Sequence, residues 1–425
     1  MKKFKQLAGL DSQKPVLQKN SPRLSPWEVT GNFVGTTSWG SFVHIGDSVV
    51  HSPPPPAVNQ YLALEVGEAC QLQCKHCIYH RQKSRTPKPN DAALDIVLRE
   101  LGNTLMPKWV TLAGKEPTIF PEKLKELAQK VYRRDRVNIL MTNGLLLTDE
   151  LLVDLSPYID LFDISVDGTQ STHDWMRGAG TFERTWQRIE RIFQDYSNRI
   201  GIIATAVHAK DEDGRPRYLD LIDLANLIRN RFGQSGRVGL SISPYYGFAD
   251  DPLRLRKEDL IELIRGLVES GCSTRVTYTA AYSHLLPEVM HEFGLSKSDI
   301  EYDRDTGFPI FRLGNVVLIL FNQTVTPQVG IRVSNDGLLH LGCNHLILGD
   351  DAASFAIADL TRDDLNQAID SLMAAQNPLL QRLATVHPTC ESCEDFDICR
   401  AGDRLAGLHQ TGTAIDPFCN RITRH

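Results

Sequence analysis

The sequence predicts an α/β fold, either an open sheet or an open barrel, with a cysteine-rich segment behind it. Three observations carry this expectation. Between residues 59 and 270, strand-length apolar runs alternate with helix-length amphipathic stretches, and six such alternations imply parallel strands joined by right-handed crossovers. The nine cysteines fall mostly into two groups, one inside the first strand–helix unit and one near the end of the chain. The 425 residues also exceed the roughly 100–200 of an ordinary domain, which predicts more than one.

The elements follow in order. Residues 1–58 read as a leader region, with alternation over 31–50 suggesting a hairpin and four prolines at 53–56 forming a stiff spacer. Strands are predicted at 61–66, 109–113, 137–141, 159–166, 200–207 and 238–243. Helices are predicted at 91–101, 122–132 (opened by Pro121), 151–155, 182–196, about 218–230 and 258–270. The last places Leu260, Leu263, Ile264, Leu267 and Val268 on one face. Beyond residue 272 the pattern changes. Residues 275–279, 311–321 and 328–341 read as antiparallel strands, with Asn335-Asp336-Gly337 as a turn signal, and 360–373 as a helix. Residues 390–425 show no long apolar periodicity and read as loop-rich, held by metal instead of by a core. The expected division is therefore 1–58, 59–272 and 273–425.

Composition excludes several classes. With 42% hydrophobic and 23% charged residues, there is ample material for a core. A net charge of −6 and a pI near 6.1 provide no global basic field for a nucleic-acid backbone. No apolar run approaches the ~18 residues of a membrane span, and the N-terminal residues lack a signal-like apolar stretch. The expectation is a cytoplasmic protein with no nucleic-acid or membrane partner.

Cys70, Cys74 and Cys77 sit on one short loop directly after the first strand, spaced Cys-x3-Cys-x2-Cys. Three thiolates so close together can take three corners of a [4Fe–4S] cubane, leaving one iron open to a small molecule. Zinc is the alternative, closed by His76 or His80. Cys390, Cys393, Cys399 and Cys419 form a set of four, enough to cap a second cluster completely, or to hold zinc. Cys272 and Cys343 stand apart, and a lone cysteine is most often a small buried hydrophobe.

From the first motif onward the sequence resembles the radical S-adenosylmethionine (SAM) superfamily, over roughly residues 60–245. Gly114-Lys115-Glu116-Pro117 ends the second strand where that family has Gly-Gly-Glu-Pro, with Lys115 in place of the second glycine. Thr142-Asn143-Gly144 ends the third strand. Ile164-Ser165-Val166-Asp167-Gly168 ends the fourth and is followed by His173-Asp174 and Arg177-Gly178. The later cysteines resemble the SPASM/twitch extension, as do Asp336-Gly337 leading to Cys343 and Phe355-Ala356-Ile357. Asp403 stands where a further cysteine is common in that extension.

The resemblance implies a partial (β/α)6 TIM-like barrel followed by a SPASM-like auxiliary iron–sulfur domain. It implies that Cys70, Cys74 and Cys77 hold a SAM-binding [4Fe–4S] cluster. Gly114, Glu116, Thr142, Asn143 and Asp167 would belong to the SAM site, with Glu116 meeting the ammonium group. Ser165 and Arg177 would meet the carboxylate or ribose, and His76 would pack near the adenine. One auxiliary [4Fe–4S] cluster would sit on Cys390, Cys393, Cys399 and Cys419. Cys343 would be a buried thiol, a replacement ligand or a hydrogen-atom donor. The implied reaction is reductive cleavage of SAM to a 5′-deoxyadenosyl radical, which takes a hydrogen atom from an unactivated C–H bond. The substrate would be a ribosomal peptide undergoing crosslinking, oxidation or epimerisation, with flavodoxin or ferredoxin as reductant. Epimerisation or dehydrogenation of a sugar-containing natural product is the second reading, and a non-catalytic iron–sulfur scaffold or electron carrier the third. Tyr245, Tyr246, Phe248, Asp250 and Asp251, after the sixth strand, are expected at the cavity.

Overall fold

The computed structural model describes residues 49–50, 61–81 and 90–419, apart from 104, 106, 108, 134–135, 234–235, 248–250, 273, 304–308, 322–329, 343, 375 and 400–401. The expected hairpin at 31–50 lies outside them except for β1 (Val49–Val50). The barrel units follow as β2 (Tyr61–Glu65), α1 (Asp91–Glu100), β3 (Trp109–Ala113), α2 (Pro121–Val131), β4 (Val137–Thr142), α3 (Asp149–Leu155) and β5 (Leu161–Ser165). Two helices come next, α4 (Gln170–Arg177) and α5 (Thr181–Asp195). They lead to β6 (Arg199–Ala206), α6 (Asp220–Phe232), β7 (Val238–Pro244), α7 (Lys257–Ser270) and β8 (Thr274–Thr279).

β2 to β7 are paired in sequence order, every neighbour parallel. β2 and β3 are buried at every residue, as strands covered on both faces must be. One set of their side chains (Leu62, Leu64, Val110, Leu112) joins the main core beneath the helices. The alternate set (Tyr61, Ala63, Trp109), with Val137, Ile139 and Leu161, forms a separate apolar plug on the other face. α5 shows why its segment is a helix: Phe182, Thr185, Trp186, Ile189 and Ile192 recur at three- and four-residue spacing and are all buried. Truncating Ile189 to alanine there would cost about 2–5 kcal/mol.

Three expectations are corrected. Residues 275–279 are not antiparallel. β8 runs parallel to β7, because α7 returns the chain across the sheet as the earlier helices do and a crossover delivers a parallel strand. Residues 311–321 are not one strand but β10 (Pro309–Leu313) and β11 (Val316–Phe321), an antiparallel pair turning at Gly314, with β11 parallel to β8. The three-residue β9 (Glu301–Asp303) pairs β10 and β1. Residues 360–373 are helical only over α9 (Leu365–Met373), because Asp364 caps its start by accepting from Gln367 N.

On the other side, β12 (Ile331–Val333) pairs parallel with β2, and β13 (Leu338–Leu341) and β14 (Ala358–Asp359) continue antiparallel. The Asn335-Asp336-Gly337 turn joins β12 and β13 as predicted. A buried ion pair ties this flank to the barrel: Arg332 Nε donates to Glu65 Oε1 at 2.7 Å, and Asn335 N to Glu65 Oε2 at 2.9 Å. α8 (Leu286–Glu292) was not foreseen. Nor were the short helices α10 (Pro378–Ala384) and α11 (Pro388–Glu391), or α12 (Phe396–Cys399) and α13 (Arg404–Thr411), the last two inside the stretch expected to be loop. Each is too short to show a helical period in the sequence. Among the described residues, no helix is long and apolar enough to cross a membrane.

Candidate functional site

The loop after β2 is stitched into place from three sides. Val66 N donates to Ala113 O at 2.8 Å, Glu116 N to Ala69 O at 3.0 Å, and Lys75 N to Met176 O at 2.9 Å. Gly114 lies at φ +130°, and a β-carbon there would stand 2.6 Å from Gly67 O. Only glycine lets the loop after β3 lie against the cysteine loop.

Above these loops opens a cavity at the carboxyl ends of the parallel strands. Its wall contains Cys70, Cys74 and Cys77 with His76; Gly114 and Lys115 beyond β3; Thr142 and Asn143 at the end of β4; and Ser165 on β5. Arg177, Thr205 of β6, and Tyr245 and Tyr246 beyond β7 complete it, with apolar contributions from Met141 and Ile203. The sequence-predicted residues His76, Gly114, Thr142, Asn143, Ser165 and Arg177 are thus brought together with the cysteine triad.

Glu116 and Asp167 are placed differently, behind this wall. Glu116 is fully buried. Its Oε1 accepts from Thr118 N at 3.1 Å and Thr142 Oγ1 at 2.7 Å, and its Oε2 from Asn143 N at 2.8 Å. Burial pushes its carboxyl upward, against the pull of these donors. Asp167 receives Arg177 Nε at 2.6 Å and Thr205 N at 2.9 Å. Burial works to raise Asp167, but the Arg177 guanidinium and His76 hold it down at about 2. His173 accepts from Asp167 N and is pushed down to about 4 by burial. Asp174 caps α5, accepting from Gly180 N and Phe182 N.

The donor set fits an iron–sulfur group. Cys70, Cys74 and Cys77 feel one another electrostatically, and burial pushes Cys74 up to about 11. Burial keeps Cys70 and Cys74 protonated as free thiols, so ligating a metal group means releasing protons. His76 directs Nε2 at Arg177 (3.4 Å) and lies 3.7 Å from Asp167, which leaves the described triad with three sulfurs. The second set is also assembled: Cys390 interacts with Cys393 and Cys419, and Cys399 with Cys390 and Cys419, with Cys390 pushed by burial to about 11. Among the described residues no three His, Cys, Asp or Glu side chains stand close enough to hold a single ion. Both sets are spread thiols within electrostatic reach of one another.

Cys272 is the buried thiol expected of a lone cysteine, with Sγ 3.6 Å from Asn226 Oδ1. Cys343 lies outside the described residues, as do Phe248 and Asp250. Asp251 turns away to accept from Tyr245 Oη at 3.0 Å. Sequence reading missed the partner of Tyr246, whose hydroxyl donates to the buried Asp403 at the start of α13, 157 residues away. No local signal marks a contact of that range.

Residues 64–222 match the family model of the Radical SAM superfamily. That stretch is similar to the domain of this superfamily, and the fold of the chain is the one shared by solved SPASM/twitch-type proteins. Members of the superfamily use a [4Fe–4S] cluster and SAM. The chain is 23% identical over 375 residues to the cysteine-type anaerobic sulfatase-maturating enzyme of Clostridium perfringens, spanning 82% of this chain and 90% of that protein. It is 35% identical over 142 residues to the serine-type anaerobic sulfatase-maturating enzyme of Bacteroides thetaiotaomicron, 29% of this chain and 34% of that one. Among solved structures, Streptococcus suis SuiB bound to precursor peptide SuiA aligns with TM-score 0.60 at 15% identity, covering 87% of this chain and 77% of that one. A structure of anSMEcpe with bound AdoMet aligns at 0.56 and 19%, covering 87% and 92%.

Proposed function

We propose that this radical SAM enzyme abstracts a hydrogen atom from an unactivated C–H bond during maturation of a ribosomal peptide. The observation that carries the reading is the open cavity in which three cysteines on one loop face the ends of the parallel strands. Peptides as the substrate class are supported by the sulfatase-maturating relatives and by the peptide-bound SuiB neighbour.

In this reading Cys70, Cys74 and Cys77 hold the [4Fe–4S] cluster. Cluster and SAM together supply, on one-electron reduction, an oxidant strong enough to take hydrogen from carbon. The protein's own residues position and exclude. Asn143 and Thr142, locked from behind by Glu116, and Ser165 present polar groups to SAM. Arg177, neutralised by Asp167, holds the back of the cysteine loop through His76. Met141, Ile203, Tyr245 and Tyr246 keep the reacting space apolar and limit water. Cys390, Cys393, Cys399 and Cys419 hold the auxiliary cluster, with Tyr246–Asp403 joining its segment to the cavity wall.

The test is anaerobic reconstitution with iron and sulfide, followed by dithionite and SAM. 5′-Deoxyadenosine should form, and Cys70→Ala should abolish it while lowering bound iron by about four per chain. Full SAM cleavage in Cys70→Ala would refute the assignment. With a candidate peptide, loss of two hydrogens marks oxidation or crosslinking, and one solvent deuteron in the product marks epimerisation.

A further inference from the structure

Among the described residues the cavity wall contains no aspartate or glutamate, yet it carries the cations Lys115 and Arg177. They are not equivalent. Arg177 is already neutralised by the Asp167 carboxylate, 2.6 Å from its Nε. Lys115 is half-buried, and among the described residues its ammonium has no ion-pair or hydrogen-bond partner. Its backbone is not free to drift. Lys115 N donates to Gly67 O at 3.4 Å and Glu116 N to Ala69 O at 3.0 Å, which holds the residue against the loop that carries Cys70. A half-buried cation with no side-chain partner among the described residues, beside a cavity whose described wall carries no carboxylate, is an incomplete charge pair.

Resting on the functional reading above, we propose that Lys115 binds the carboxylate of the methionine end of SAM. The residue that replaces a motif glycine is thereby a SAM-positioning residue, supplying the charge that Arg177 has spent on Asp167. Glu116, turned away from the cavity, has no direct part in it.

The test is SAM binding to the anaerobically reconstituted protein, without reductant, measured by equilibrium dialysis against SAM and against decarboxylated SAM. The variants are Lys115→Met, which keeps the length and removes the charge, and Lys115→Arg, which keeps the charge. Lys115→Met should weaken SAM binding at least about 10-fold, leave the decarboxylated analogue within about 2-fold, and be largely rescued by Lys115→Arg. The double difference cancels whatever the carboxylate contributes elsewhere in the site. Unchanged SAM affinity in Lys115→Met overturns the proposal, and so does an equal loss for both ligands. A wild-type protein that holds iron on its first cysteine set but binds no SAM would instead overturn the functional reading.

Discussion

Glu116 illustrates how a single buried carboxylate organises the residues around it. It is enclosed, and its oxygens take up the Asn143 amide, the Thr142 hydroxyl and both polar hydrogens of Thr118. Removing it leaves several buried donors unpaired, each worth about 1–3 kcal/mol. Glu116→Ala should therefore lower unfolding stability in urea by about 2–4 kcal/mol and weaken SAM binding as a consequence. Glu116→Gln, which preserves one acceptor oxygen, should lose less of both. If SAM binding collapsed in Glu116→Gln with the urea midpoint unchanged, the carboxylate would be a direct ligand and its buried bonding incidental.

At the scale of elements, the site is a set of loops clamped edge to edge, and Gly114 is where the clamp is tightest. Its φ of +130° disfavours any side chain, and the obstacle to a β-carbon is the backbone oxygen of Gly67, which cannot swing aside. Gly114→Ala should push the cysteine loop away from β3 and cost a few kcal/mol, on the order of 1–3 from backbone strain alone. Iron analysis should then show the first cluster lost while the four C-terminal cysteines still load. Equal loss at both sets would mean a global folding defect. Much of this layer was legible in the sequence. Six largely buried parallel strands are mostly apolar, and the triad, Gly114, Asn143 and Ser165 occur in order at their ends, with Arg177 closing α4. What could not be read was whatever depends on distance in the chain or on brevity. β8 was misassigned because its own residues do not report their partner, although the amphipathic helix preceding it already implied a crossover. α4 spans only Gln170–Arg177 and was visible only as a motif. The enclosure of Glu116 and Asp167 behind the cavity wall was not legible, because spacing puts a carboxylate near a strand end without saying which face it takes.

For the whole molecule, the side-chain contacts that join the C-terminal half to the barrel include Arg332 to Glu65 at the root of the cysteine loop, and Asp403 to Tyr246 in the cavity wall. The regions they join also hold buried imidazoles that make the fold sensitive to acid. Burial pushes His173 down to about 4, and burial with the nearby Arg254 or Arg332 charge pushes His284 and His340 to about 3. In the unfolded chain each titrates near 6.5. Between pH 6.5 and the folded values the unfolded state binds more protons, so stability falls as pH falls through that window. At pH 5 each histidine costs about 2 kcal/mol relative to pH 7.5. Asp167 does not offset this. Its depressed value of about 2 contributes stability that is complete above the ordinary carboxylate range and is lost only below it. The buried carboxyls of Glu116, Asp403 and Asp416, raised by burial, Asp416 to about 7, act in the opposite sense over the same window, so the histidine contribution is read from a variant against the parent chain. In urea unfolding of the metal-free chain, His340→Gln, which removes one titrating ring from beside Arg332, should shift the stability difference between pH 5 and pH 7.5 by about 2 kcal/mol in favour of pH 5, whatever it does to stability at pH 7.5. An identical pH dependence in the variant would mean that the folded His340 ring takes up a proton as readily as the unfolded one, and that the junction between β12 and β13 is open to water.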